Sequence, residues 1–181
     1  NEDAGGYGSN NQACNAISLA LDLVPENRIQ QTLASLLADI EAHDFHLTTG
    51  NQCTKFMLDA LSDHGYIDVA FKIVNQTTYP GWGYMLENGA TTIWERWEFA
   101  KEGGMHSHNH PMLGSIGSWF YSRLAGIRPD ENNPGQMKVL PQLPTGLNRI
   151  EATYQSCCGP ISVKIKRQHA GPPRIEIERP D

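Results

Sequence analysis

The strongest constraint on this chain is a change of hydrophobic period along its length. Up to about Ile127 apolar residues recur at every third or fourth position, whereas beyond the polar stretch RPDENNPGQ (128–136) they alternate with polar ones. A helix returns a side chain to the same face after about 3.6 residues and a strand after two, so the two stretches call for different elements. Ala13, Ile17, Ala20 and Leu21 make a helical stripe between Gln12 and Leu23, which Pro25 and Asn27 break. Ile29, Leu33, Leu36, Leu37 and Ile40 make a second stripe. Further helices are expected over Thr54–Asp63, over Ile67–Val74, and from Pro111 through Trp119 to Ala125. Consecutive amphipathic helices on short connections pack as antiparallel hairpins, and a series of hairpins closes into a bundle or an α/α barrel.

In the second stretch Ile161, Val163 and Ile165 alternate with Ser162, Lys164 and Lys166, and Ile175 and Ile177 alternate with Glu176 and Glu178. Val139-Leu140 and Ile150-Ala152-Tyr154 predict two more strands. Four short strands make a thin sheet, so further strands are expected from elsewhere in a longer polypeptide. The expected architecture is mainly α, with a short antiparallel β portion after the helices.

Composition narrows the function classes. Of 181 residues, 39% are hydrophobic and 19% charged, as in a soluble globular protein, and no apolar run reaches the roughly 18 residues of a membrane-spanning helix. A formal charge of -6, without clustered Lys and Arg, argues against nucleic acid as a partner and for a neutral or weakly charged ligand. Cys14, Cys53, Cys157 and Cys158 show no CxxC spacing and are too sparse for a disulfide scaffold. The adjacent pair is expected to lie in a strand, one thiol buried and one exposed, and to carry no chemistry. The opening NEDAGGYG is not a signal peptide, and Asn75-Gln76-Thr77 matches a glycosylation sequon.

Chemistry concentrates in Tyr79–Trp97, YPGWGYMLENGATTIWERW, which holds Trp82, Trp94 and Trp97 with the acids Glu87 and Glu95. Aromatic faces stack on sugar C–H surfaces, and carboxyl groups perform the proton transfers of glycoside cleavage. The competing reading makes the tryptophans core residues and the acids solvated. Glu95 lies between two tryptophans, an apolar setting suited to acid/base work. His106, His108 and His110 are spaced by two, as three ligands on one strand face would be, but they lie between Gly103-Gly104 and a helix start. A loop with one ligand-contacting histidine is therefore expected there, and no metal.

In order, HLTTG (46–50), YPGWGYML (79–86), GATTIWERW (89–97) and SHNHPMLGSIGSWFYSRLAGI (107–127) closely resemble the latter half of the catalytic domain of bacterial α-L-rhamnosidases, glycoside hydrolase family 78. The resemblance covers nearly the whole chain, and GQMKVLPQLP with ATYQSCCGPI is similar to the opening strands of the β-sandwich that follows the barrel in that family. It implies a partial (α/α)6 barrel over residues 1–133 and the beginning of a β-sandwich domain over residues 134–181. The implied activity is hydrolysis of terminal α-L-rhamnosides with inversion, without cofactor, on a rhamnose-containing glycoside or polysaccharide.

Residue by residue, the resemblance makes Glu95 of TTIWE the general base and His110 of SxNH a sugar ligand. Trp82 would line the pocket, and Trp94 and Trp97, counted with the substrate-binding set, would support Glu95. The family's general acid lies upstream in the barrel, in a segment with no counterpart here. The chain alone is accordingly expected to be inactive, with the missing N-terminal part of the barrel as its partner and apolar surface exposed where neighbouring helices would pack. A periplasmic or extracellular setting would suit a polysaccharide-degrading parent. The alternatives are a non-catalytic carbohydrate-binding or structural fragment, and another (α/α)6 glycosidase.

Overall fold

The computed structural model describes residues 5–99 and 107–180. It forms two compact units, residues 1–115 and 116–181.

The first unit is built of helices α1 (Gln12–Ala20), α2 (Ile29–Ala42), α3 (Asn51–Asp63), α4 (Ile67–Val74) and α5 (Trp82–Glu87). Helix α1 starts where the Asn11 side chain accepts a hydrogen bond from the Cys14 amide, satisfying one of the donors a helix leaves open at its N-terminus. Its buried face differs from the one hydropathy selects: Gln12, Asn15, Ala16 and Leu19 are inside, while Leu21 is 49% exposed. The physical reason is satisfaction of polar groups. Asn15 accepts from the Tyr7 amide at 2.8 Å and donates to Asn10 at 2.9 Å, and Gln12 is used in full by a remote loop, so both amides are buried without penalty. Helix α2 does bury its expected stripe at Leu33, Leu36 and Ile40. It ends with Asp44 and Phe45 at positive φ, 52° and 61°, and the Phe45 amide returns to the Ile40 carbonyl at 2.9 Å. Helix α3 buries Met57, Leu58 and Leu61, and Gly65 at φ 86° turns the chain into α4.

Gly83 marks the tightest approach to backbone in this unit. A β-carbon there would lie 2.5 Å from the Gln76 carbonyl oxygen and 2.9 Å from Thr77 Cα. Alanine normally gains up to about 1 kcal/mol over glycine inside a helix. At this position the clash with backbone reverses the sign, and Gly83→Ala is expected to lose about 1–3 kcal/mol in urea unfolding, with the midpoint shifted and the slope unchanged.

In the second unit α6 (Ile116–Trp119) runs into a wider turn over Phe120–Leu124, where the Ala125 amide donates to the Phe120 carbonyl at 2.9 Å. Strand β1 (Ile127–Pro129) pairs antiparallel with β2 (Met137–Val139), so RPDENNPGQ forms the turn region of a hairpin. The change from helix to strand therefore occurs at Gly126, ahead of the polar stretch. Strands β3 (Arg149–Ser156), β4 (Gly159–Lys166) and β5 (Arg174–Glu178) make an antiparallel meander in the order β3-β4-β5. Ile161, Val163 and Ile165 of the central strand are buried with Ala125 and Ile127, and Met137, Val139, Leu143, Ile150 and Ala152 pack against them. On the edge strand Ile175 and Ile177 stay 45% and 43% exposed, since β5 has a neighbour on one side only.

Cys157 and Cys158 correct the strand reading. Ser156 pairs with Gly159, so the two cysteines form the two-residue loop joining β3 to β4, and both are exposed. A loop does not alternate its side chains between the faces of a sheet, which is why neither thiol is buried.

Candidate active site

Four segments remote in sequence meet in the first unit. The HLTTG loop follows α2 and is held by Gln12 of α1, whose amide donates to the His46 carbonyl at 3.0 Å and accepts from the Thr48 amide at 2.9 Å. Beside it the Thr49 and Thr54 hydroxyls lie 2.9 Å apart, and Thr54 donates to the Gly50 carbonyl at 2.8 Å. The Thr49 carbonyl in turn accepts from Trp97 Nε1 at 2.9 Å. Trp97 packs edge-on against Trp82 with ring centroids 5.1 Å apart, and Trp82 Nε1 donates to the Leu113 carbonyl at 3.0 Å. Both indoles are buried, and both use their only polar atom.

TTIWE lies antiparallel to SHNH. The Glu95 amide donates to the Ser107 carbonyl and the His110 amide to the Ile93 carbonyl, each at 2.9 Å, while Thr92 Oγ1 donates to the His108 carbonyl. Ser107 closes a tight turn, its hydroxyl donating to the Asn109 carbonyl at 2.9 Å and accepting from the Asn109 amide at 3.0 Å. This use of the hydroxyl explains a serine two residues before Asn109. Trp94 is buried and stacks on Phe99 and His108 with centroids 5.1 and 5.0 Å away.

Glu95 as a residue is half-buried, and the hydrogen bond its carboxylate accepts is exposed. Its Oε2 accepts from the Ser107 amide at 2.8 Å, and its Oε1 accepts no hydrogen bond among the described residues. His110 is half-buried, and its Nδ1 accepts from the Met112 amide at 3.4 Å. Asn51, first residue of α3, donates to the Glu95 carbonyl at 3.4 Å. Glu87 ends α5, exposed, with no hydrogen-bond partner among the described residues. His106 lies outside the described residues, and among the described ones no group of three or more His, Cys, Asp or Glu could hold a metal ion.

The family profile of the bacterial α-L-rhamnosidase six-hairpin glycosidase domain matches residues 1–124. The chain belongs to this family. It is 36% identical over 166 residues to an α-L-rhamnosidase of Streptomyces avermitilis, an alignment covering 88% of this chain and 16% of that protein. The structure superposes on that of an α-L-rhamnosidase from Dictyoglumus thermophilum with a TM-score of 0.85 and 41% identity, over 91% of this chain and 19% of the other. With the crystal structure of the Streptomyces avermitilis α-L-rhamnosidase complexed with L-rhamnose the TM-score is 0.80 at 36% identity, over 87% of this chain and 16% of that one. The chain thus spans less than one fifth of the length of these relatives.

Helices over the family domain, followed after residue 124 by antiparallel strands, are the architecture the sequence predicts. Of the residues singled out there, Glu95 and His110 lie on two segments joined by backbone hydrogen bonds, and Trp82, Trp94 and Trp97 are buried. Gln12, Thr49 and Ser107 escape sequence reasoning, although each holds part of this arrangement. A polar residue in register with Ala16 and Leu19, at spacings of four and seven, is the only signal that could have drawn attention to Gln12.

Proposed function

We propose that this chain is part of a glycoside hydrolase that removes terminal α-L-rhamnose with inversion, and that Glu95 is its general base. The observation that carries the reading is the asymmetry of the Glu95 carboxylate among the described residues: one oxygen is oriented by a backbone amide, and the other accepts no hydrogen bond from them. Such a carboxylate holds its position without spending its proton-accepting atom. Oε1 takes a proton from water as the water attacks the anomeric carbon, while an acid on the opposite face of the sugar protonates the departing oxygen. That acid belongs to a part of the protein outside this chain. His110 donates through Nε2 to a sugar hydroxyl, and its backbone bond to Ile93, two residues before Glu95, supports a role at the same sugar residue. The three tryptophans act through Glu95 and its neighbours: buried as they are, they hold the segment that carries Glu95 in place.

Family membership and the likeness to a rhamnose-complexed relative support rhamnose as the substrate sugar. The stereochemical outcome provides the test. Hydrolysis of an aryl α-L-rhamnoside by the complete enzyme, followed by proton NMR from the first minutes, is expected to show β-L-rhamnose first, with the α anomer arising later by mutarotation. The α anomer first would make the mechanism retaining and end the assignment of Glu95 as a base acting on water. No release of rhamnose would end the substrate assignment.

A further inference from the structure

The loop between β3 and β4 presents two thiols to solvent with no packing role. Cys157 and Cys158 are both exposed, and their Sγ atoms lie 3.8 Å apart, within reach of an S–H···S hydrogen bond. The turn does not depend on sulfur. Ser156 holds it, its hydroxyl accepting from the Cys158 amide at 3.2 Å and donating to the Gly159 carbonyl at 2.7 Å, and Gly159 supplies a φ of 129°. Cysteine commonly serves as a small buried hydrophobe, and that reason is missing at both positions. The hydrogen bond to Cys157, and then its charge, hold the Cys158 thiol above the ordinary thiol range.

We propose that Cys157 and Cys158 form a reversible two-electron modification site, closing to a disulfide between adjacent residues by exchange with low-molecular-weight disulfides. Deprotonated Cys157 attacks one sulfur of the disulfide RSSR, forming a Cys157–SR bond and releasing RS⁻. Cys158 gives its proton to water and attacks Cys157 Sγ; the Sγ–Sγ bond forms and a second RS⁻ leaves. The pair loses two electrons and two protons, and RSSR is reduced to two molecules of RSH. The second step is favoured because its nucleophile already sits beside its target, making the reaction intramolecular.

Closure brings the sulfurs from 3.8 Å to about 2.05 Å by rotation of two unpacked side chains. Adjacent α-carbons are about 3.8 Å apart across a trans peptide, below the usual range of about 4.4–6.8 Å for disulfides. The closed ring is therefore strained, and strained, exposed disulfides are readily reduced. Cys158 also lines a cavity of about 500 Å³ with Arg179 and Pro180, which places a cation near the path of an acidic reagent. Glutathione disulfide is the matching probe.

The test treats the whole folded protein with glutathione disulfide, quenches with acid and N-ethylmaleimide, and digests with trypsin, which isolates both cysteines in the peptide Ile150–Lys164. That peptide is expected two hydrogens lighter than the dithiol and free of glutathione, and dithiothreitol should restore it. In Cys158→Ser the same peptide should retain one glutathione on Cys157, because the resolving thiol is gone. A wild-type peptide that keeps a glutathione adduct, or that emerges as the free dithiol, overturns the proposal.

Discussion

Glu95→Gln in the complete enzyme is expected to lower kcat by at least roughly 10²–10⁴, the contribution of general base catalysis, while KM changes little. Glutamine keeps the shape of the side chain, and its amide oxygen can still accept from the Ser107 amide as Oε2 does at 2.8 Å. The position of the group is thus preserved, and what disappears is its ability to take a proton. Azide should restore turnover in the Gln variant, giving a rhamnosyl azide of inverted configuration, because an anionic nucleophile needs no base. His110→Ala should behave differently. Loss of one neutral hydrogen bond to the sugar, about 0.5–1.5 kcal/mol, acts on ground and transition states alike and raises KM by roughly tenfold or less. Glu87→Gln is the control: the side chain is exposed at the end of α5, and its loss should leave both constants unchanged. Full activity in Glu95→Gln with collapse in Glu87→Gln would move the base to Glu87.

Gln12→Leu is expected to release the HLTTG loop. The substitution keeps a side chain of similar size in a fully buried position, and it removes the partners of both the His46 carbonyl and the Thr48 amide. Stranding two backbone groups costs about 2–4 kcal/mol. Because the cost falls on one loop, local opening is the sensitive readout: exchange of the Thr48 amide with deuterium should accelerate roughly 30- to 1,000-fold, the same free energy written as an equilibrium constant. The effect should reach the carboxylate, since the Thr49 carbonyl anchors Trp97 two residues from Glu95. A lower kcat is expected with it. Unchanged exchange at Thr48 would show that the loop is held by other contacts and that Gln12 has no share in placing Glu95.

Much of the fold is legible in the sequence because one physical effect dominates it. Where a helix buries only aliphatic side chains, as α2 does with Leu33, Leu36 and Ile40, the stripe in the sequence is the stripe in the structure. The same holds for β4, whose Ile161, Val163 and Ile165 line one face. Helix α1 fails the rule. Its inner face carries Gln12 and Asn15, and hydropathy turns such a helix the wrong way. Their burial is favourable only because Tyr7, Asn10, His46 and Thr48 supply partners, up to 36 residues away. No pattern local to the helix contains that information. RPDENNPGQ illustrates a different ambiguity: a polar, Pro- and Asn-rich stretch marks a reversal of the chain, but a hairpin turn inside a unit and a connection between units have the same composition.

The candidate site divides along the same line. From the residue types alone, Glu95 among tryptophans and His110 are the groups expected to do chemistry, whereas the adjacent Cys157 and Cys158 are expected to carry none. Tertiary structure decided how each is presented. It is the pairing of residues 92–95 with 107–110 that anchors one oxygen of Glu95 on the Ser107 amide, and the two-residue loop between β3 and β4 that exposes both thiols together. The reason is one of range. Periodicity and motif spacing report interactions within one element, whereas a carboxylate's orientation depends on a donor from another segment, and that donor's place exists only once the chain has folded.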